Sequence, residues 1–339
     1  MPQSKLLIIY TGGTIGMAHD SRGTLIPFDF ERQMDQFRVR ELDVEVGVHA
    51  FPQPIDSSDV QPEDWRAIGQ VIVDNYDDYH GFVVLHGTDT MAYSASALSF
   101  MLEGLNKPVI FTGSQLPIGA ARSDARENLM SSLEIAADTI QGRPRIPEVC
   151  IYFSGILLRG NRARKVQSIH FDAFESENYP PLAEAGVTID YNDRLIMPYV
   201  EDNELTFRHR FDTRVSILKL FPGIQPAVIN SIMEAPGLRG LVVETYGSGN
   251  ASTSPWFLEA LRKANDQGIL LYNVSQCPGG RVMLGKYESS LYLQELGMLS
   301  GGDITTEAAV TKLMYLLGEL DDLKMIRECL ETPIRGEMG

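Results

Sequence analysis

Leu6-Leu7-Ile8-Ile9-Tyr10-Thr11-Gly12-Gly13-Thr14-Ile15-Gly16 is the stretch on which the fold reading turns. A short apolar run with β-branched content, stopped by paired glycines, predicts a strand buried on both faces. The same grammar returns along the chain. Phe82-Val83-Val84-Leu85 runs into His86-Gly87-Thr88-Asp89, and Met91, Ala95, Leu98 and Leu102 follow at helical spacing. Val109-Ile110-Phe111 ends at Thr112-Gly113-Ser114-Gln115. A helix is expected from about Asp124, then a strand over 149–153. Pro62 before Glu63 and Asp64 marks a helix start, with Trp65, Ile68 and Ile72 on one face. Residues 17–30, with Gly23 and Pro27, read as a loop. Strand, glycine turn, helix and strand in succession predict an α/β protein with a largely parallel sheet flanked by helices.

The rhythm breaks over residues 190–213, which are polar, acidic and without period. It resumes at Val215–Leu220, Gly240–Val243 and Gly268–Tyr272. The expected organisation is therefore a larger N-terminal domain over 1–190, a linker over 191–213 and a smaller α/β domain over 214–339. A chain of 339 residues is long enough for two cores without metal or disulfide staples.

Composition excludes several classes. Lys plus Arg number 29 against 45 Asp plus Glu, a net charge of −16, which repels phosphate backbones and anionic lipid. Nucleic acid and membrane are therefore not expected as partners. Cys150, Cys277 and Cys329 are scattered, so neither a disulfide framework nor a zinc site is implied. The run after Lys5 is too short for a signal peptide, and no stretch approaches ~18 apolar residues, so a cytosolic, reduced protein is expected. Dinucleotide, P-loop and serine nucleophile-elbow motifs are missing, and no cofactor or metal is expected.

Ligands of open α/β sheets bind beyond the carboxyl ends of the strands. Three such ends carry chemistry: Thr11-Gly12-Gly13-Thr14, His86-Gly87-Thr88-Asp89-Thr90 and Thr112-Gly113-Ser114-Gln115. Each alone reads equally well as a glycine turn with a helix cap. The first two together resemble the asparaginase/glutaminase family. The resemblance extends to Asp56-Ser57-Ser58-Asp59, Gly160-Asn161-Arg162, Phe171-Asp172-Ala173-Phe174, Gly302-Asp303 and Thr311-Lys312-Leu313. It covers nearly the whole chain and is most like the cytosolic type I branch.

That resemblance implies hydrolysis of the L-asparagine side-chain amide, with Thr14 as nucleophile and Thr88, Asp89 and Lys165 as the group that activates it. Asp89 with Asp56 suits the substrate ammonium, and Ser57 and Ser58 suit its carboxylate; Thr88 lies against the substrate as well. It also implies a flavodoxin-like C-terminal domain and a homodimer or homotetramer in which a turn such as Gly247-Ser248-Gly249-Asn250 lines a neighbour's site. Two positions depart from the family pattern. The loop after the first motif, Gly23-Thr24-Leu25-Ile26-Pro27, lacks the family's tyrosine and offers only Thr24. Glu244 stands where regulated members carry a basic residue, beside Arg164 and Cys277 in the same alignment, which implies weak or absent activation by asparagine. Three alternatives share these motifs. A glutaminase-asparaginase of mixed specificity differs by one substrate methylene. A non-catalytic amino-acid sensor has no need of two threonines and a lysine. An amidotransferase subunit carries an extra N-terminal domain, for which a first strand at Lys5 leaves no room.

Overall fold

The computed structural model describes residues 4–19, 25–27, 42–285 and 288–339. The chain divides into two compact units, Met1–Arg208 and His209–Gly339.

The first unit is built on an eight-stranded sheet. Its strands are β1 (Ser4–Gly12), β2 (Val44–Ile55), β3 (Gly81–Leu85), β4 (Val109–Thr112), β5 (Val149–Phe153), β6 (Ile156–Arg159), β7 (Ala183–Ala185) and β8 (Ile189–Tyr191). Their order across the sheet is β8-β7-β6-β5-β4-β3-β1-β2. The five from β2 to β5 run parallel, and β6, β7 and β8 extend the sheet antiparallel. Leu6, Ile8, Tyr10, Val83, Leu85, Ile110, Cys150 and Tyr152 form one core with Ala125, Leu129 and Leu133 of helix α3 (Ala125–Ala137). Their alternates Leu7, Ile9, Phe82, Val84 and Ile151 are equally buried. Burial on both faces is why these strands read as unbroken apolar runs rather than as an alternation.

Helix α1 (Pro62–Asp74) starts as expected, with proline in its first turn and a capping box between Gln61 and Asp64. Helix α2 (Met91–Met101) is buried all round except at Tyr93, not along one face. The expected face of Met91, Ala95, Leu98 and Leu102 is therefore only part of what is buried. Inside, Ser96 donates to the Ala92 carbonyl at 2.7 Å and Ser99 to that of Ser96 at 2.7 Å, so these hydroxyls are satisfied within the helix. Residues 17–30, expected as a loop, hold a short antiparallel pairing of Met17–His19 with Leu25–Pro27. Three-residue strands are too short to show a period. Within the stretch expected as a linker, Thr206–Phe207 pairs with Leu102–Glu103.

The second unit is a four-stranded parallel sheet, β9 (Val215–Lys219), β10 (Gly240–Thr245), β11 (Leu270–Ser275) and β12 (Leu299–Ser300), in chain order. Helices α4 (Pro226–Met233) and α5 (Pro255–Asp266) cover it with Ile229, Met233, Phe257 and Leu261 over Leu218, Leu241 and Leu271. The short helix α6 (Glu288–Glu295) comes before β12. Helix α7 (Thr306–Glu319) packs on β9, β10 and β11, and α8 (Leu323–Glu331) packs on α7 and β12.

Candidate active site

The carboxyl ends of β1, β2 and β3 meet through glycines. Gly12 and Gly13 have φ of 142° and 86°, which side chains rarely adopt. A Cβ on Gly12 would lie 2.3 Å from the Ile55 carbonyl oxygen at the end of β2. A Cβ on Gly13 would lie 2.6 Å from the Gly87 nitrogen, and one on Gly87 would lie 2.5 Å from Ser57 Oγ. The residues just before Thr14 and Thr88 are therefore in backbone contact, with Ser57 against the second of them. Thr14 is half-buried and opens a single 3₁₀ turn, Thr14–Gly16.

Lys165 comes from elsewhere in the chain. It lies in a two-residue strand whose partner is Phe174–Glu175. Its ammonium donates to Thr88 Oγ1 at 2.7 Å and to Asp89 Oδ1 at 2.6 Å. The Lys165 side chain is 17% exposed while that of Asp89 is 63% exposed, so the pair opens to solvent on the aspartate side. Lys165 thus does not belong to a solvated basic run. Its neighbour Arg162 is buried too, its guanidinium 5.2 Å from the Tyr179 ring centroid.

The Asp56 segment is bound up with itself and with the second motif. Asp56 Oδ1 accepts from Ser58 N at 3.0 Å and Ser58 Oγ at 2.9 Å. These bonds hold its carboxyl below the ordinary aspartate range. Thr90 Oγ1 donates to the Ser57 carbonyl at 2.6 Å. Thr11 Oγ1 donates to the Leu85 carbonyl at 2.9 Å, tying the end of β1 to the end of β3. Thr24 lies outside the described residues.

Three supports escaped the motif reading. His86 is buried, and burial lowers its pKa, so the ring is neutral. Its Nδ1 lies 2.7 Å from the Gly87 carbonyl, which can only accept, so Nδ1 carries the proton. Nε2 then accepts from Ser94 Oγ at 3.0 Å, which accepts in turn from Trp65 Nε1 at 2.9 Å. A chain from α1 through α2 thereby ends on the peptide that leads into Thr88. Asp124, where the helix starts as expected, also accepts from the Gln115 and Leu116 amides. Asn128 holds the Gly113 carbonyl at 3.0 Å. At the third strand end, Ser114 donates to the Leu116 carbonyl and Gln115 to that of His170, so its side chains hold loops. A histidine directly before Gly-Thr-Asp was the one signal in the sequence for the first of these supports.

Among the described residues no three His, Cys, Asp or Glu side chains converge as a metal site, and no helix is long and apolar enough to cross a membrane.

Two family models match this chain. One, described as asparaginase, N-terminal, matches residues 5–197, and the glutaminase/asparaginase C-terminal domain matches residues 214–330. The chain belongs to the asparaginase family. L-asparaginase 1 of Escherichia coli (strain K12) is 41% identical over 342 residues, covering 100% of this chain and 99% of that one. A 60 kDa lysophospholipase of Mus musculus is 40% identical over 99% of this chain, which spans 63% of that longer protein. The crystal structure of L-asparaginase I from Vibrio cholerae superposes with a TM-score of 0.89 at 36% identity, covering 99% of each chain.

For an asparaginase-family chain, the second unit's aligned positions have partners of their own. Glu244 is 9% exposed and accepts from Thr306 Oγ1 at 2.6 Å, with Lys219 Nζ at 3.2 Å. The Gly247–Asn250 turn is held to β11 by Ser275, donating to the Gly247 carbonyl at 2.6 Å, and by Asn273, donating to that of Gly249 at 3.2 Å.

Proposed function

We propose that this protein is a type I L-asparaginase, hydrolysing L-asparagine to L-aspartate and ammonia with Thr14 as nucleophile. The observation that carries this is the Lys165 ammonium bonded to both Thr88 and Asp89, beside the point where the Thr14 turn meets Gly87. A free threonine hydroxyl is a poor nucleophile. An ammonium on Thr88 stabilises negative charge developing on that oxygen, so Thr88 can take the proton from Thr14.

Attack forms the bond from Thr14 Oγ1 to the amide carbon. The proton, relayed through Thr88 and Lys165, reaches the amide nitrogen, and the carbon–nitrogen bond breaks to release ammonia. Water then adds to the threonine ester, aspartate leaves, and one water proton returns to Thr14. Asp89, exposed at the rim, meets the substrate ammonium together with Asp56, which the Ser58 bonds keep ionised. Ser57 and Ser58 face the substrate carboxylate. The assembly is a homodimer or homotetramer, the location cytosolic, and the response to asparagine non-sigmoidal because Glu244 is already paired.

Ammonia release from L-asparagine and L-glutamine, by wild type and by Thr14→Ala, tests the reading. Release from asparagine that Thr14→Ala abolishes supports it. Release from neither amide by folded wild type, or full activity in Thr14→Ala, overturns it. One extra methylene shifts binding by only about 1–3 kcal/mol, so some glutaminase activity is compatible with the same site.

A further inference from the structure

The turn that begins with Thr14 rests on a tyrosine. Tyr10 belongs to β1 and is 3% exposed, in the core cluster with Ile8 and Ile15. Its ring lies flat against Gly16, the last residue of the Thr14–Gly16 turn. A Cβ on Gly16 would lie 2.2 Å from the tyrosine oxygen, 2.3 Å from Cζ and 2.4 Å from Cε2. Gly16 has an ordinary φ, so the ring, not backbone conformation, demands glycine there.

The hydroxyl also bonds the turn. Tyr10 donates to the Gly16 carbonyl at 3.2 Å, and the Gly16 amide donates to the Gly13 carbonyl at 3.2 Å. The last residue of the turn is thus tied twice, to Gly13 by its own backbone and to Tyr10 by a side chain from the strand beneath. Besides the Gly16–Gly13 bond, the Met17 amide donates to the Thr14 carbonyl, but a 3₁₀ turn this short has little intrinsic stiffness. A further tie, from a buried side chain, restricts how far the turn, and the hydroxyl at its start, can rotate. Burial pushes the Tyr10 hydroxyl up to about 12, so it remains a donor at any working pH.

We propose that Tyr10 is a positioning residue for the Thr14 nucleophile, acting through the Gly16 carbonyl and matched to a glycine at position 16. The proposal rests on the reading of Thr14 given above. It concerns orientation, so its signature lies in turnover and not in substrate affinity.

Tyr10→Phe keeps the ring and removes the hydroxyl that bonds Gly16. Its kcat for asparagine is expected to fall about three- to tenfold, the range of one hydrogen bond, with KM within about twofold and an unchanged far-UV circular dichroism spectrum. Gly16→Ala is expected to lose about a hundredfold or more, and Tyr10→Leu in the same chain to restore at least about tenfold of that, because the methyl then has room. Wild-type kcat in Tyr10→Phe overturns the proposal. So does a Gly16→Ala loss of the same factor with and without Tyr10→Leu. Thr14→Ala is measured alongside. If it remains active, the nucleophile reading fails. If it is dead while Tyr10→Phe is unaffected, only the role given to Tyr10 fails.

Discussion

Lys165 and Lys312 each hold an ammonium 2.6 Å from a carboxylate oxygen, Asp89 in the first unit and Glu337 in the second. Distance does not separate them; surroundings do. Lys312 and Glu337 are 0% exposed, and Lys312 also donates to the Leu330 and Thr332 carbonyls. Glu337 accepts from the Ile334 and Arg335 amides. Burial drives the Lys312 pKa down, with Glu337 opposing it. That pair fastens the segment after α8 to α7. Lys165 instead spends its second bond on a hydroxyl, and its aspartate is mostly open to solvent. A lysine-carboxylate pair saturated by carbonyls and closed to water can only hold structure. One shared with a half-buried threonine at a strand end is available for chemistry.

The sharpest way to break this contrast is to remove each lysine charge in turn. Lys165→Met should lower kcat by about 10²–10⁴-fold, the range of a positioned proton-transfer group, with little change in thermal midpoint. A large fall in midpoint would mean that Lys165 is structural after all. Lys312→Met should do the reverse. It leaves Glu337 buried without its counter-charge, at a cost of about 3–5 kcal/mol in urea unfolding, and Glu337→Gln in the same chain should recover most of that. Equal instability of the single and double variants would show that packing, not charge, matters there.

A smaller effect sharpens the role of exposure. Asp212 accepts from Arg214 and Arg239, and these bonds, Arg214's first, hold its carboxyl well below the usual range. A carboxyl depressed in the folded state contributes stability above its unfolded pKa of about 4, and loses it as pH falls below that. Asp212→Asn should therefore be less stable than wild type at pH 7 and converge with it towards pH 2 in acid titration followed by circular dichroism. A constant difference across that window would remove the ion pairs as the cause. The smallest effect belongs to Lys219, which is 67% exposed beside Glu244. Lys219→Ala should change stability by no more than about 1 kcal/mol, because Thr306 still bonds the carboxylate. A larger loss would show that exposure is a poor guide to the worth of such pairs in this protein.

Much of the first unit was legible because its strands are buried on both faces and end in glycines. Leu6–Tyr10, Phe82–Leu85 and Val109–Phe111 could hardly be anything else. Met17–His19 was not legible, since a three-residue pairing has no period to read. Helix α2 was legible as a helix but not as a fully buried one, because Ser94, Ser96 and Ser99 look solvent-facing until their partners are seen. The strand ends that carry Thr14, Thr88 and Asp89 stood out because glycine and hydroxyl residues cluster there, and the family resemblance gave those three residues their roles. Tyr10, Trp65, Ser94 and Asp124 did not stand out, because their residue types are ordinary at core and helix-start positions.

The local order of residues determined the strands, the glycine turns and which residue types stand at the strand ends, since hydrophobic period and glycine placement act over a few neighbours. Only the tertiary structure decided that Lys165 reaches Thr88 across 77 positions of sequence, and that Lys312, in the same pairing with a carboxylate, is sealed from water. Burial and hydrogen-bond partnership are properties of the packed chain. They decide what an ammonium group can do, and they exist only once distant segments have come together.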